Sequence, residues 1–318
     1  MQQCRILNAQ PIGYCEEAGK ILNRLGEVVE VPLNRSELLS RLADYDVLIV
    51  RLAQQIDRDV IDAGCRLKVI MSATTGLDHI DVDYARSKGV TVLSLRGETE
   101  FLRTVSATAE HTWALLLALL RRIPQAFTAV RADAWDRDAF RGHELESKRL
   151  GIIGLGRIGR KVARYGQAFG MDVAAYNPSV SEWVDGVKRA STLPDLLRRS
   201  DVLTIHVPLT NDTSGLISRE ELSLLPSGST LVNTSRGEVL DEFALVKALQ
   251  TGHLAGAALD VICNERDEGL RGQSPLLAYA RGHDNLIITP HVGGATYESM
   301  EKTEIFMARK LAAYLHNS

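Results

Sequence analysis

Three polar residues in the second half of the chain are spaced as if they shared one reaction. Arg236 stands in Asn233-Thr-Ser-Arg-Gly237, Glu265 closes Asp260-Val-Ile-Cys-Asn-Glu265, and His291 lies in Thr289-Pro-His-Val-Gly293-Gly294. A guanidinium is a permanently charged planar fork, suited to a compound carrying a carboxylate beside a carbonyl oxygen. An imidazole titrates near neutrality, so it can give a proton to a nascent alkoxide or take one from an alcohol. A carboxylate beside that ring would orient it. Each of the three follows a β-prone run and is expected at a strand exit. Together with the glycine turn upstream of them, they point to redox chemistry on an anionic carbonyl compound.

That turn is Gly154-Leu-Gly156-Arg-Ile-Gly159. It follows the apolar run 150–153 and precedes Ile158, Val162, Tyr165 and Phe169 at helical spacing. In a dinucleotide turn Gly154 permits the sharp bend, Gly156 lets backbone approach a pyrophosphate, and Gly159 lets helix and strand pack closely. Backbone N–H groups of Arg157 and Ile158 would hold the phosphates at the positive end of the helix dipole. Gly170 stands where the helix end needs a positive φ. The ribose-holding position, after the run 172–176, is Asn177-Pro178 rather than an acid. A carboxylate there would repel a 2′-phosphate by about 4 kcal/mol at roughly 4 Å and an effective dielectric near 20. Asn177 removes most of that penalty, and no arginine follows closely, so the cofactor is read as NAD, with NADP left open.

The elements that must position these residues alternate along the chain. Runs 5–8, 28–31, 47–50, 69–72 and 90–93 are β-prone, with helix-like stretches at 15–25, 36–42 and 59–63. A second alternation has strands at 150–153, 172–176, 202–206, 230–233, 255–260 and 286–289. Such order predicts α/β architecture with two doubly wound parallel sheets in tandem. The break is expected around 96–103, followed by a buried helix over about 106–121; a last helix spans 297–315.

At 318 residues two domains are the starting expectation. Hydrophobic content of 45% with 24% charged residues excludes a disordered or fibrous chain. A net charge of −3 and no long basic run give no reason to expect nucleic acid. Cys4, Cys15, Cys65 and Cys263 show no C-x-x-C spacing, so no metal is expected and a reducing cytoplasm fits. The run 113–120 is closed by Arg121-Arg122, far short of a membrane span. His79, His111, His143, His253, His283 and His316 read as satisfied polar residues, whereas His206, in Thr204-Ile-His-Val-Pro208, is placed to touch cofactor.

Taken in order, these segments resemble the D-isomer-specific 2-hydroxyacid dehydrogenase family, most nearly its phosphoglycerate dehydrogenase-like members. The matching segments also include Thr75-Gly76-Leu-Asp78, Ala109-Glu110-His111 and Val207-Pro208-Leu-Thr210. The resemblance implies that Arg236 binds and polarises substrate, Glu265 pairs with His291, and His291 is the acid/base. Backbone at Thr75 and Gly76 would meet the substrate carboxylate, and Arg51 matches an anion-binding position. Asp260 would hold the nicotinamide carboxamide, with Pro208, Thr234 and Gly293 lining the cofactor. The family further implies a flavodoxin-like substrate domain over 1–98 and 293–318, a Rossmann NAD-binding domain inserted over 99–292, and a homodimer. The implied reaction is hydride transfer between NAD and a D-2-hydroxy or 2-oxo acid of phosphoglycerate type. Glyoxylate or hydroxypyruvate reduction is the alternative substrate reading, and a nucleotide-sensing binding protein on the same scaffold the alternative class. Arg96, Arg103 and Arg266 are further cations whose role the sequence leaves open.

Overall fold

A computed structural model describes residues 4–179 and 183–317. The chain divides into two compact units, residues 1–105 with 295–318, and residues 106–294.

The first unit holds a five-stranded sheet of β1 (Cys4–Asn8), β2 (Gly26–Glu30), β3 (Val47–Val50), β4 (Val69–Ser72) and β5 (Thr91–Leu93). The order is β2-β1-β3-β4-β5, every pair parallel. Successive residues serve opposite faces, as strand geometry requires. Leu7, Leu48 and Ile70 pack with Leu38 and Leu42 on one side, and Ile6, Val47 and Val69 with Met307 and Leu311 on the other. All four residues of β3 are buried, which is why it reads as an unbroken apolar run. The strand order reverses between β1 and β3, creating a crevice outside their carboxyl ends.

The last helix, Tyr297–Asn317, packs on this first sheet. Residues 99–105 belong there too. Leu102 and Val105 join the cluster containing Met307 and Leu311, and Phe101 stacks on Phe306 at 4.0 Å. The contact division therefore falls after Val105 and after Gly294, seven residues later than the expected first break and two later than the second, because these apolar side chains are buried against the terminal helix.

The second unit holds β6 (Arg149–Ile153), β7 (Asp172–Tyr176), β8 (Lys188–Arg189), β9 (Val202–Ile205), β10 (Ser229–Asn233), β11 (Leu254–Leu259) and β12 (Leu286–Ile288). The order is β12-β11-β10-β9-β6-β7-β8, again all parallel. This is a doubly wound Rossmann sheet whose order reverses between β6 and β9. The apolar helix Ala107–Leu120 buries Trp113, Leu115, Leu116 and Leu120, and Trp113 stacks on Phe169 at 4.8 Å. Gly170 takes φ +70° after helix Arg157–Ala168, as its position implied. Among the elements with no counterpart in the sequence reading are the exposed edge strand β8, helix Thr99–Leu102 and helix Ile123–Arg131, which Arg122 opens from left-handed backbone at φ 52°. No single helix among the described residues is long and apolar enough to cross a membrane.

Candidate active site

All three reactive side chains lie in the second unit, on loops leaving β10, β11 and β12, and backbone constraints fix each loop. Beyond β10, Asn233 Oδ1 accepts from Ser235 N at 2.9 Å and Ser235 Oγ at 2.7 Å, while its Nδ2 donates to Arg236 O at 2.9 Å. Gly237 is obligatory, because a Cβ there would stand 2.0 Å from the carbonyl carbon of Ile262. That close approach sets the Arg236 turn directly against the loop carrying Glu265. Thr234 Oγ1 meets Thr112 Oγ1 at 2.9 Å, tying the same turn to the buried helix.

The Glu265 loop is held from two sides. Glu242, the first residue of helix Glu242–Gln250, accepts from Cys263 N at 2.6 Å and Ser274 Oγ at 3.0 Å. Arg271 donates to the Glu265 carbonyl at 3.0 Å. Asn264 takes φ 54°, a left-handed conformation uncommon outside glycine. Burial first, then Glu242, pushes the Cys263 thiol up to about 12, so it is an inert apolar filler.

His291 also sits at φ 54°. Such backbone persists only where its surroundings over-determine it, and Asp260 supplies much of that determination. The Asp260 carbonyl accepts from His291 N at 2.8 Å. Its Oδ1 accepts from Thr289 Oγ1 at 2.6 Å and Val292 N at 2.9 Å, and its Oδ2 from Gly293 N at 2.7 Å. His111 Nε2 lies 3.2 Å from Oδ1 and 2.9 Å from Thr289 Oγ1. Burial pushes the Asp260 carboxyl up, but His111, Thr289 and the two N–H groups outweigh it and hold the acid below its usual range. A carboxylate has about four lone-pair positions, and most of those on Asp260 are taken by this loop. Its geometry serves the placement of His291.

So placed, His291 Nδ1 meets Glu265 Oε1 at 2.5 Å, both side chains about one-fifth exposed. This contact commits Nδ1 to the carboxylate and leaves Nε2 for proton exchange.

The residues at the glycine turn fit a dinucleotide. Gly154 takes φ +92°, and a Cβ on it would strike the His206 carbonyl at 2.6 Å. One on Gly159 would meet Gly154 O at 2.0 Å, whereas around Gly156 there is open space within 4 Å. Helix Arg157–Ala168 begins without a side-chain cap, so the first N–H groups, including those of Arg157 and Ile158, are available to an anion. Burial lowers the Arg157 guanidinium, for which no ion pair is found among the described residues. Both ring nitrogens of His206 are shielded and have no hydrogen-bond partner among the described residues, although the residue is partly exposed, and burial holds the imidazole down at about 3. A neutral ring with unmet polar atoms beside the turn fits a cofactor contact. Pro208, two residues on, is exposed. Asn177 Oδ1 accepts from Ser179 N at 3.2 Å and Ser179 Oγ at 3.0 Å, so only its Nδ2 remains to face a ribose; Val180, Ser181 and Glu182 lie outside the described residues.

The remaining candidates, Arg51, Thr75 and Gly76, lie in the first unit. No hydrogen bond is found among the described residues for the backbone N–H of Thr75 or Gly76. Arg51 is engaged by a buried carboxylate, Glu304. Sequence reasoning missed Glu242 and Arg271, whose partners are distant in the chain, and it dismissed His111. The signal for His111 was its place in Ala109-Glu110-His111, where polar residues interrupt the otherwise apolar helix Ala107–Leu120.

Residues 113–293 match the family model described as D-isomer specific 2-hydroxyacid dehydrogenase, NAD binding domain. The D-3-phosphoglycerate dehydrogenase of Methanocaldococcus jannaschii is 39% identical over 315 residues, which are 98% of this chain and 57% of that protein. The chain thus spans little more than half the length of such relatives. The TT0316 protein of Thermus thermophilus superposes with TM-score 0.83 at 35% identity, covering 98% of this chain and 97% of that one. The D-lactate dehydrogenase of Aquifex aeolicus, complexed with NAD and lactic acid, gives 0.84 at 30% identity, covering 98% and 96%. With the glycine turn, the three loops and this match over more than half its length, the chain belongs to the D-isomer specific 2-hydroxyacid dehydrogenase family, and its second unit contains that family's NAD-binding domain.

Proposed function

We propose that the chain catalyses hydride transfer between NAD and C2 of a D-2-hydroxy acid or its 2-oxo partner. The observation carrying this reading is the contact of His291 Nδ1 with Glu265 at 2.5 Å, in the same unit as the glycine turn and Arg236. When bound, the nicotinamide ring supplies or accepts the hydride. Arg236 holds the substrate's carboxylate and polarises its C2 oxygen. In reduction His291 Nε2 gives its proton to that oxygen; in oxidation it takes the hydroxyl proton as the C2 hydride leaves. Glu265 fixes the ring through Nδ1. The backbone N–H groups of Thr75 and Gly76, for which no hydrogen bond is found among the described residues, support an anion contact on the first unit, which would be the substrate domain.

A phosphoglycerate-like acid and the shorter glyoxylate and hydroxypyruvate are the candidate substrates. The partner in assembly is a second copy of this chain. Supporting this are the exposed apolar side chains of Ile123, Phe127 and Val130 on one helix, with Trp135 beyond it 89% exposed. Four free cysteines support a cytoplasmic location. The test follows NADH consumption at 340 nm across a panel of 2-oxo acids, with the molar mass measured by light scattering. Turnover on at least one 2-oxo acid is expected. NADH binding without turnover anywhere on the panel would mark a nucleotide-sensing protein instead.

A further inference from the structure

We infer that His111 is a positioning residue for the proposed reaction: from the buried helix it donates its Nε2–H to the Thr289–Asp260 pair and so holds the loop that aims His291. The inference rests on the hydroxyacid dehydrogenase reading and adds a residue to that same site. Every group in it lies within the second unit.

Helix Ala107–Leu120 is a firm place from which to anchor a loop. It buries Trp113, Leu115 and Leu116 and packs across β10, β11 and β12, the three strands whose exits carry the reactive side chains. Two neighbouring residues in its second turn meet two different loops. Thr112 Oγ1 gives its proton to the Thr108 carbonyl at 2.8 Å, so it accepts from Thr234 Oγ1 at 2.9 Å and holds the Arg236 turn. His111, beside it, faces the exits of β11 and β12. Its ring edge also fills the space next to Gly293, where an added Cβ would stand 3.6 Å from His111 Cδ2 and 2.8 Å from Asp260 Oδ2.

Counting protons shows which way these contacts run. Asp260 is held below the usual carboxylate range, so both its oxygens only accept. Thr289 has one hydroxyl proton, and the 2.6 Å contact with Asp260 Oδ1 uses it. The Thr289 oxygen is then an acceptor 2.9 Å from His111 Nε2, with Asp260 Oδ1 a second acceptor at 3.2 Å. An unprotonated Nε2 would face lone pairs on both. His111 therefore carries a hydrogen on Nε2 and donates it, and the hydroxyl that receives this bond is polarised to give a stronger one to Asp260. From Asp260 the chain runs on to the N–H groups of Val292 and Gly293 and, through its carbonyl, to His291 N.

His291 keeps its left-handed backbone, at φ 54°, only while its surroundings impose it. Without the His111 donor, Thr289 and Asp260 lose a partner and the loop loses one of its restraints. His111 needs no contact with substrate or cofactor for this, so its effect belongs in proton exchange at His291 and not in nucleotide affinity. A displacement of about 1 Å at a reacting group lowers rate by about 10², and one restraint among several places the loss at about ten-fold.

The experiment compares wild type with His111→Gln, His111→Asn and His111→Phe. The Gln amide N–H reaches where Nε2 does, the Asn amide stops short, and Phe keeps the ring without a donor. NADH-linked kcat is measured on hydroxypyruvate, 3-phosphohydroxypyruvate and glyoxylate, NADH affinity by fluorescence, and amide hydrogen exchange over residues 289–294 by mass spectrometry of the protein without cofactor. His111→Asn and His111→Phe should lower kcat by about ten-fold or more and speed exchange of that segment by about ten-fold, with NADH affinity within about three-fold of wild type. His111→Gln should bring kcat and exchange back to within about three-fold of wild type. Adding Thr289→Val to His111→Asn should lower kcat by less than Thr289→Val does in wild type, because both act through one chain of bonds. Unchanged kcat and exchange in a folded His111→Asn protein overturn the inference. So does a Gln variant no better than Asn, a fall in kcat with exchange of the loop unchanged, or an NADH affinity that falls as far as kcat. Should the Phe variant fail to fold, the Gln and Asn pair decides. If wild type reduces none of the acids, the dehydrogenase reading is what fails, and exchange over residues 289–294 alone decides whether His111 holds the loop.

Discussion

Replacing Asp260 by Asn should impair turnover and stability together, because one carboxylate organises the loop that carries His291. The two side chains have nearly the same shape, but an amide accepts through one atom only. If Nδ2 takes the place of Oδ2, the Gly293 N–H, now 2.7 Å from an acceptor, faces a donor instead. If the amide flips, Val292 N and Thr289 Oγ1 lose theirs. The first arrangement costs less, yet it strands a buried donor worth about 1–3 kcal/mol and forfeits charge-assisted bonds. A total near 2–3 kcal/mol corresponds to a fall in Tm of about 5–10 °C for a unit of this size. The loop must then relax, and a displacement of His291 by about 1 Å should lower kcat by roughly 10². The effect has a pH signature. Asp260 is held below its usual range, so its stabilising contribution is complete above the unfolded value of about 4 and is lost as pH falls through the folded value. The Tm difference between wild type and variant should therefore be full at neutral pH and shrink below about pH 4. Thermal melts across pH and NADH-linked turnover provide the assay. A variant with wild-type Tm and kcat would refute the assignment of Asp260 as the residue positioning His291.

Gly156→Ala should leave the fold intact, within about 1 kcal/mol, since nothing lies within 4 Å of the added Cβ. It should nevertheless weaken NADH binding at least about ten-fold by fluorescence titration; unchanged affinity would show that no phosphate approaches that backbone. Glu265→Gln should retain cofactor affinity while kcat falls by about 10² or more, because an amide can leave the ring in the wrong tautomer. Cys263 should resist alkylation at about pH 8 while exposed Cys65 reacts, as mass spectrometry of iodoacetamide-treated native protein would reveal.

Strands buried on both faces announce themselves: β3, with the sequence Val-Leu-Ile-Val, has the ends the sequence implies. The glycine turn was legible because Gly154 and Gly159 answer steric demands of a tight strand–helix turn, while Gly156 leaves its backbone open to approach. Strand β8 was not, since two exposed basic residues at a sheet edge bury nothing and leave no periodic trace. The contact division between units falls seven residues beyond the expected break because Leu102 and Val105 find their partners on a helix about two hundred residues away. In the site, Arg236, Glu265 and His291 could be picked out by chemical type and by the strand exits they follow. Their supports could not. Glu242 binds Cys263, and Asp260 binds the backbone of Val292 and Gly293, contacts between side chains and distant main chain that no local pattern encodes. Arg51 shows the same limit: its pairing with Glu304 of the terminal helix is a contact that no local pattern announces.

The central claim is that His291, oriented by Glu265, exchanges the proton that accompanies hydride transfer. Steady-state reduction of a 2-oxo acid by His291→Ala, with NADH affinity measured on the same preparation, tests it most directly. Turnover should fall by about 10²–10⁴ while NADH still binds within a few-fold of wild type. A variant that binds NADH normally and turns over within about ten-fold of wild type would contradict the account.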